Sequence, residues 1–132
     1  MFPEGCTTNN TSLITFRRGA FFGLQSVQPV TISYYSPYFS CAHDVINQLA
    51  HIILAGCQPY ALCTVKEMPV FEPNAWFFEH HKKGSEEQWE TYMRVIREIM
   101  GEQLGKGLSE AKLEDKFAYK DELYPSKKGK KD

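Results

Sequence analysis

A short polar segment near the start of the chain carries the side chains best suited to binding a substrate. Residues Glu4 to Asn9 supply a carboxylate, a glycine, a thiol, two hydroxyls and an amide directly after an apolar start. In open α/β sheets ligands bind beyond the carboxyl ends of strands, and glycine lets the backbone approach a ligand closely. We therefore interpret Glu4, Gly5, Cys6 and Thr7 as a candidate binding loop. The alternative is an ordinary polar turn held by side-chain hydrogen bonds.

A pair of arginines supplies the second candidate. Arg17 and Arg18 are the only cations among the first 65 residues, and Phe16, Phe21 and Phe22 accompany them. A guanidinium matches the oxygens of a phosphate through paired hydrogen bonds. Cations among aromatic residues also suit a phospholipid head group or a membrane surface. The alternative is a solvated pair at the start of a helix.

The histidines and cysteines follow no metal-binding or nucleophile pattern. His43 and His51 are eight residues apart and lack the i, i+4 spacing of a helical metal pair, which favours histidines at the edge of a core. His80 and His81 lie beside lysines in a polar segment, where we expect them to be solvated. The four cysteines contain no Cys-x-x-Cys pair, which argues against a zinc site. Their even number permits two disulfides, but the first residues do not resemble a secretory signal, so we expect reduced thiols.

Alternating and helical patterns of apolar residues predict the elements that must position these groups. Strands are predicted over 27–33 and 60–71 and helices over 43–55 and 85–104, with the opening residues as the end of a further strand. Ser85 and Gln88 indicate a capping box, and Gly105 indicates the helix end. Residues 72–84 are predicted as a loop, and a weak helix is predicted near 109–117. This order of elements predicts the α/β class.

Composition narrows the class of protein. A chain of 132 residues with net charge −1 and 23% charged residues suits one globular domain or part of one, and excludes a disordered chain, a coiled-coil rod and a strongly basic nucleic-acid binder. No run approaches the ~18 apolar residues that a membrane-spanning helix needs. Residues 1–66 hold five charged side chains and the second half holds the other 26. We therefore expect the first half to be interior and the second half to be exterior.

Three stretches together resemble the glycerolipid acyltransferase superfamily, most closely its lysophosphatidylcholine acyltransferase branch. Residues 2–9 are similar to that family's Phe-Pro-Glu-Gly-Thr block, with Cys6 in place of the usual threonine. Residues 13–21 are similar to a run in which a basic residue precedes Gly-Ala-Phe, and residues 27–30 to the block that follows. Weaker parallels continue to about residue 124.

The resemblance implies a fold, a reaction and a role for each candidate residue. The fold would be the C-terminal half of a mixed sheet flanked by helices, and the reaction would transfer an acyl group from acyl-CoA to a lysophospholipid hydroxyl. Glu4 and Gly5, with Cys6 and Thr7, would shape the acceptor site. Arg17 would lie near the acceptor's phosphate, and Pro29 would belong to the strand behind the pocket. The resemblance implies no metal, no cofactor other than acyl-CoA as co-substrate, and no nucleic-acid partner.

One departure from the family pattern is decisive for activity. The family's general base is a histidine followed five positions later by an aspartate, and this sequence contains no such pair. We therefore expect residues 1–105 to be a partial acyltransferase domain that is inactive alone, and residues 106–132 to be a polar, lysine-rich tail. The alternative is a non-catalytic module, derived from the same domain, that binds a lipid head group or another partner.

The C-terminus suggests a cellular location. Lys128 and Lys130 occupy the fifth and third positions from the end, which resembles the dilysine retrieval signal of endoplasmic reticulum membrane proteins. We expect the chain on the cytosolic face of that membrane, associated through a segment upstream of Met1. A solubilising tail is the alternative.

Overall fold

The structure, a computed structural model, describes residues 1–6, 11–40 and 47–123 of the chain. Its strands are β1 (Ser12–Leu13), β2 (Val30–Tyr35), β3 (Leu62–Glu67) and β4 (Gly107–Leu108). Its α-helices are α1 (Gln48–Gly56), α2 (Ala75–His81), α3 (Gln88–Leu104) and α4 (Leu113–Leu123), and a short 3₁₀ turn covers Arg18–Ala20. This mixture of helices and strands confirms the predicted α/β class.

The described strands form two sheets of two strands each. β1 and β4 are parallel, with Ser12 opposite Gly107. β2 and β3 are antiparallel, with a register that runs from the Val30–Glu67 pair to the Tyr35–Leu62 pair. The β-branched and aromatic residues of β2 suit this pairing. The strand β4 follows Gly105 in the chain and pairs with β1, which comes after the candidate binding loop in the sequence.

Helix α3 forms the centre of the core, as its periodicity predicts. Tyr92, Val95, Ile96 and Met100 are buried on one face of the helix. This face packs on three apolar residues from the first half of the chain and one from α2, namely Leu13, Phe16, Phe21 and Phe77. Apolar residues that recur every three or four positions form a single stripe along the helix, and this stripe is buried in the core. The helix is therefore stabilised mainly by tertiary packing and less by the intrinsic helix propensity of its residues.

The two ends of α3 show one wrong prediction and one that is confirmed. The capping box uses Glu87 and Glu90 instead of Ser85 and Gln88, because the helix begins at Gln88. Glu90 accepts the Glu87 N–H at 2.8 Å, which satisfies a donor that the helix leaves unpaired. Gly105 ends the helix with φ of +64°, a left-handed conformation that glycine adopts without steric cost.

Helix α2 corrects the prediction of a loop over 72–84. The Asn74 side chain accepts the Phe77 N–H at 2.8 Å and caps the helix. Phe77 is buried against Tyr92, with ring centroids 6.1 Å apart. A helix of seven residues is too short to show a helical period, so tertiary packing decides whether it forms.

Other boundaries also differ from prediction, including the strands, which cover 30–35 and 62–67 instead of 27–33 and 60–71. Met1 and Phe2 form no strand and are 92% and 80% exposed, because no described strand offers them a partner. The predicted helix over 43–55 is described only from Gln48, and residues 43–46 lie outside the described part. The weak helix predicted near 109–117 lies instead at Leu113–Leu123.

The expectation that the first half is interior is wrong for α1 and β3. Together with the partly buried β2, these elements form what we call the hairpin lobe. α1 buries no residue, and every residue of β3 is exposed. Leu49, Ile52 and Leu62 are each more than half exposed. A low charge count therefore does not indicate burial here. Within the described residues no helix is both long and apolar enough to span a membrane.

Candidate functional site

A tight turn presents the Glu4–Gly5 pair. The Gly5 N–H donates to the Phe2 carbonyl at 3.2 Å, and Gly5 has φ of +72°. The turn is tied to the arginine segment because the Arg17 N–H donates to the Pro3 carbonyl at 2.8 Å. Left-handed backbone favours glycine, so the turn explains why this residue type follows Glu4.

Glu4 is held in place by a backbone hydrogen bond. Its Oε1 accepts the Ile14 N–H at 3.2 Å. Burial raises the pKa of the Glu4 carboxyl, and the Ile14 hydrogen bond and the charges of Lys106 and Arg97 oppose that rise. Burial in turn lowers the pKa of the Lys106 ammonium, and the Glu4 charge opposes the change. The result is a partly desolvated carboxylate in a fixed position, with cations nearby.

Gly5 lets the Arg17 side chain pass directly over the turn. A Cβ atom built on Gly5 would lie 3.0 Å from Arg17 Cδ and 3.1 Å from Arg17 Nε. A side chain at position 5 would therefore strain the left-handed backbone and crowd Arg17, which would have to shift slightly. The guanidinium continues outward, where Arg17 Nη2 lies 3.0 Å from the Glu114 carboxylate of α4. Glu114 thus shows that an oxyanion fits at this guanidinium.

The structure brings some predicted site residues together and not others. Glu4, Gly5 and Arg17 converge on one turn, and the half-buried Cys6 directly follows them. Thr7 lies outside the described residues. Pro29 is buried in the sheet of the hairpin lobe, where its carbonyl accepts the Met68 N–H at 2.9 Å. As Pro29 has no N–H of its own, this pairing suits the first position before β2.

His80 and His81 lie on a helix instead of in the predicted loop, and both are exposed as predicted. His80 and His81 end α2, and the His80 ring stacks on Trp76 with centroids 4.4 Å apart. His51 lies half-buried on α1 beside Phe39, in keeping with a histidine at the edge of packed residues. His43 lies outside the described residues. In the described part of the chain, no group of three or more His, Cys, Asp and Glu residues could hold a metal ion.

Arg97 is the site residue that sequence reasoning missed. It is only 7% exposed, and its guanidinium donates to the carbonyls of Ile14 at 3.0 Å and Leu13 at 3.1 Å. The available signal was its position: Arg97 lies four residues after Met93 and three before Met100, on the apolar stripe of α3. A cation on the buried face of a helix requires polar partners, and only the folded chain identifies them.

The geometry supports recognition of a polar, anionic group. Glu4 can accept a hydrogen bond from a hydroxyl, and Arg17 can donate two hydrogen bonds to phosphate oxygens. Glu4 belongs to the turn, and Arg17 is tied to it because its N–H donates to the Pro3 carbonyl. A ligand that carries both a hydroxyl and a phosphate could use both functions.

Comparison with known proteins identifies relatives along most of the chain. The chain is 34% identical over 119 residues to a lysophospholipid acyltransferase of Arabidopsis thaliana, an alignment that covers 90% of this chain and 28% of the relative. It is 32% identical over 117 residues to a lysophosphatidylcholine acyltransferase of Drosophila melanogaster and 31% identical to human lysophosphatidylcholine acyltransferase 1, with 87% of this chain and 20% of each relative covered.

These similarities confirm the resemblance seen in the sequence. The chain spans between a fifth and little more than a quarter of the length of these relatives. No protein-family model matches the sequence. No solved structure matches it either. The relationship to lysophospholipid acyltransferases therefore comes from whole-sequence similarity to one segment of those proteins.

Proposed function

We propose, from the relationship of this chain to one segment of the lysophospholipid acyltransferases, that it forms the acceptor-binding part of an acyl-CoA-dependent enzyme. The acceptor is a lysophospholipid, and the product is a phospholipid with two acyl chains. The observation that carries the proposal is the convergence of Glu4, Gly5 and Arg17 on one turn, within a segment shared with relatives named for this activity.

The proposed reaction is acyl transfer between a thioester and an alcohol. A base removes the proton of the lysophospholipid hydroxyl, and the oxygen attacks the thioester carbonyl of acyl-CoA. The C–S bond of the tetrahedral intermediate then breaks, the ester C–O bond remains, and the departing thiolate takes up the proton. This chain contains no histidine followed five positions later by aspartate, so the base is supplied by another segment of the protein.

The residues of this chain bind and orient the acceptor. Glu4 accepts a hydrogen bond from the acceptor's glycerol portion. Gly5 has no side chain, which leaves room for the Arg17 side chain to pass over the turn. Arg17 binds the phosphate in place of Glu114. By the resemblance, Cys6 and Thr7 would also contact the acceptor and Pro29 would lie near it; Thr7 lies outside the described residues, and Pro29 directly precedes β2. Orientation of a hydroxyl relative to a fixed thioester lowers the barrier without any covalent role for these groups.

Substitution of Arg17 tests the proposal in the full-length protein. Removal of a charge-assisted phosphate contact costs about 1.5–3 kcal/mol, so Arg17→Ala should lower kcat/KM for the lysophospholipid ~10–100-fold. Arg18→Ala is the matched control, because Arg18 is exposed and lies 5.7 Å from the Phe22 ring centroid. Activity is measured as thiol release from acyl-CoA. Equal activity of the Arg17 variant and the wild type would overturn the assignment.

The alternative function is a non-catalytic module that binds a lipid head group. Its support is the same pairing of Glu4 and Arg17, which recognises a head group whether or not a reaction follows. Both functions predict the same behaviour of the 132-residue chain. We expect the chain to bind a lysophospholipid without turnover of acyl-CoA. Turnover of acyl-CoA by the full-length protein would indicate an enzyme, and its absence would indicate a binding module.

The proposed location is the cytosolic face of the endoplasmic reticulum membrane. The dilysine-like pattern at Lys128 and Lys130 supports it, and both residues lie outside the described part of the chain. A membrane-anchored reporter that ends in residues 124–132 should be retained in the endoplasmic reticulum. The same reporter with Lys128 and Lys130 changed to serine should reach the cell surface, and equal surface delivery of both would refute the signal.

A further inference from the structure

We propose that Arg97 is a positioning residue for Glu4, and that it acts through the peptide group between Leu13 and Ile14. The carbonyl of that peptide accepts from Arg97 Nη2 at 3.1 Å, and its N–H donates to Glu4 Oε1 at 3.2 Å. One planar amide therefore bridges a buried guanidinium and the candidate acceptor-site carboxylate. This inference deepens the proposed function, on which the activity part of its test rests.

The guanidinium is bound almost entirely by backbone carbonyls. Arg97 Nε donates to the Ile14 carbonyl at 3.0 Å, and Nη2 also donates to the carbonyl of Ser109. The nearest described carboxylate partner is Glu110, at 3.7 Å and 93% exposed. A planar group with five donors in fixed directions fits this set of carbonyls, whereas a lysine ammonium offers a single nitrogen. The contacts add hydrogen bonds between α3 and two chain segments, around residues 13–14 and at Ser109, to the apolar packing of α3 on β1 and β4.

The bridging amide transmits this constraint to Glu4. The peptide bond is planar, so a carbonyl fixed on one side sets the direction of the N–H on the other. A cation at the carbonyl also polarises the amide and makes its N–H a better donor to a carboxylate. Glu4 is thus oriented by a residue 93 positions later in the chain that does not belong to its turn.

The charges around Glu4 define what a titration should show. Lys106 and Arg97 lower the pKa of Glu4 through their charge, against the effect of burial. Arg17 lies over the adjacent Gly5 and is paired with Glu114, and Glu110 faces Arg97 from the segment after β4. A change at Arg97 therefore acts on Glu4 by two routes, lost charge and lost orientation of the Ile14 N–H.

An NMR titration of the wild-type 132-residue chain tests the bridge without any substitution. The carboxyl carbon of Glu4, the amide of Ile14 and the Nε–H of Arg97 should shift with one shared midpoint. Arg94 is the internal control, because it lies on the same helix and donates to Glu86 instead. Its Nε–H should follow the titration of Glu86. The proposal would be overturned if the chemical shift of the Ile14 amide or of the Arg97 Nε–H did not change as Glu4 titrates.

Substitution separates positioning from simple structural support. Arg97→Lys keeps the positive charge but loses the planar guanidinium that donates to several carbonyls at once. We therefore expect the Ile14 amide to lose protection from hydrogen exchange ~10-fold or more while α3 stays folded. Arg94→Gln, which removes comparable guanidinium contacts to Glu86 and Glu98, should leave the Ile14 amide unchanged. Equal protection of the Ile14 amide in the wild type and a folded Arg97→Lys variant would overturn the proposal.

Activity in the full-length protein gives a readout that a general loss of stability would not produce. Arg97→Lys should raise KM for the lysophospholipid ~10–100-fold and leave KM for acyl-CoA unchanged. An equal rise of both KM values would refute a role at the acceptor site. A shared titration in a protein without transferase activity would instead refute the proposed function and leave the Arg97–Glu4 link standing.

Discussion

Glu114 forms an ion pair with the guanidinium of Arg17, which the proposed function assigns to the binding of a phosphate. The ion pair to Arg17 is exposed on both sides, at 54% and 71%. Exposed pairs of this kind contribute about 0–1 kcal/mol, so an incoming phosphate can displace the carboxylate at little cost. At the residue scale, α4 therefore acts as a weak competitor for the anion site.

Removal of the competing carboxylate should strengthen anion binding. We expect Glu114→Gln to lower the Kd for a lysophospholipid or its soluble glycerophosphodiester head group up to ~5-fold, because the weak ion pair no longer has to be broken. The Arg17 Nε–H signal in an NMR titration reports the binding. Glu122→Gln on the same helix is the control, and an equal change in both variants would show only a general effect of net charge.

Glu86 links the N-terminal end of α3 to the loop before it. Its carboxylate accepts from Arg94, from the Lys83 N–H and from the hydroxyl of the fully buried Thr91. The hydrogen bond from Arg94 is the main cause of the lowered pKa of Glu86. A carboxyl whose pKa is lower in the folded than in the unfolded state stabilises the fold above its unfolded pKa.

Stability should therefore depend on Glu86 in a defined pH range. At pH 7 we expect Glu86→Gln to lower the free energy of unfolding by about 1–2 kcal/mol, since hydrogen bonds to a charged acceptor are lost. The difference from wild type should shrink as the pH falls from the ordinary glutamate range through the lowered pKa of the folded state. Urea unfolding at several pH values measures it, and a difference that persists at the lowest pH would contradict this role.

At the element scale, α3 is the helix on which the described core depends. It packs on α2, on β1 and β4, on the 3₁₀ turn and on β2. The same helix carries Arg97, so the stripe that builds the core also fixes the peptide beside Glu4. Loss of the helix would therefore remove both the core and the candidate site.

Two isoleucines of α3 distinguish a buried position from an exposed one. Ile96 is 2% exposed and Ile99 is 38% exposed. Ile96→Asp places an unpaired charge in the core and should cost more than about 3 kcal/mol, enough to unfold a marginally stable domain. Ile99→Asp should cost under about 1 kcal/mol. Circular dichroism and urea unfolding compare them, and equal stabilities would mean that the buried face of α3 is assigned wrongly.

At the scale of the whole molecule, the hairpin lobe stands out as an apolar surface. Residues 30–40 and 47–65 contain no Asp, Glu, Lys or Arg. The lobe exposes tyrosines at one end, with Tyr38 77% exposed, and the aliphatic residues of α1 on its helix. Charges in the described part of the lobe are confined to Lys66 and Glu67 at the end of β3. Exposed apolar residues grouped in this way are typical of a face that another surface covers.

The 132-residue chain should therefore self-associate through this lobe. We expect the apparent mass to rise with concentration in sedimentation velocity, because burial of apolar surface favours association. Ile52→Glu with Ile53→Lys adds one charge of each sign to α1 and should restore the monomer. Phe117→Ser, at a 56% exposed position on α4, is the matched control outside the lobe. A monomer at all concentrations, or equal correction by both variants, would contradict the prediction.

Local patterns in the sequence are enough to predict features that depend on neighbouring residues. The helical period of α3 and the glycine that ends it are both present in the structure. β2 and β3 also form and pair as strands, although β3 buries none of its residues. The Glu4–Gly5 pair and Arg17 were also recognisable, because their types and spacing match a family block whose relatives cover most of the chain.

Which groups meet in space depends on how the elements pack. Arg97 and Ile14 are 83 residues apart, and their hydrogen bond depends on how α3 packs on β1, which no local pattern encodes. The capping box moved from Ser85 to Glu87 because packing set where α3 begins, and α2 formed because Phe77 found a place in the core. The free energy of such contacts depends on burial and direction in three dimensions, whereas periodicity records only which face of an element is apolar.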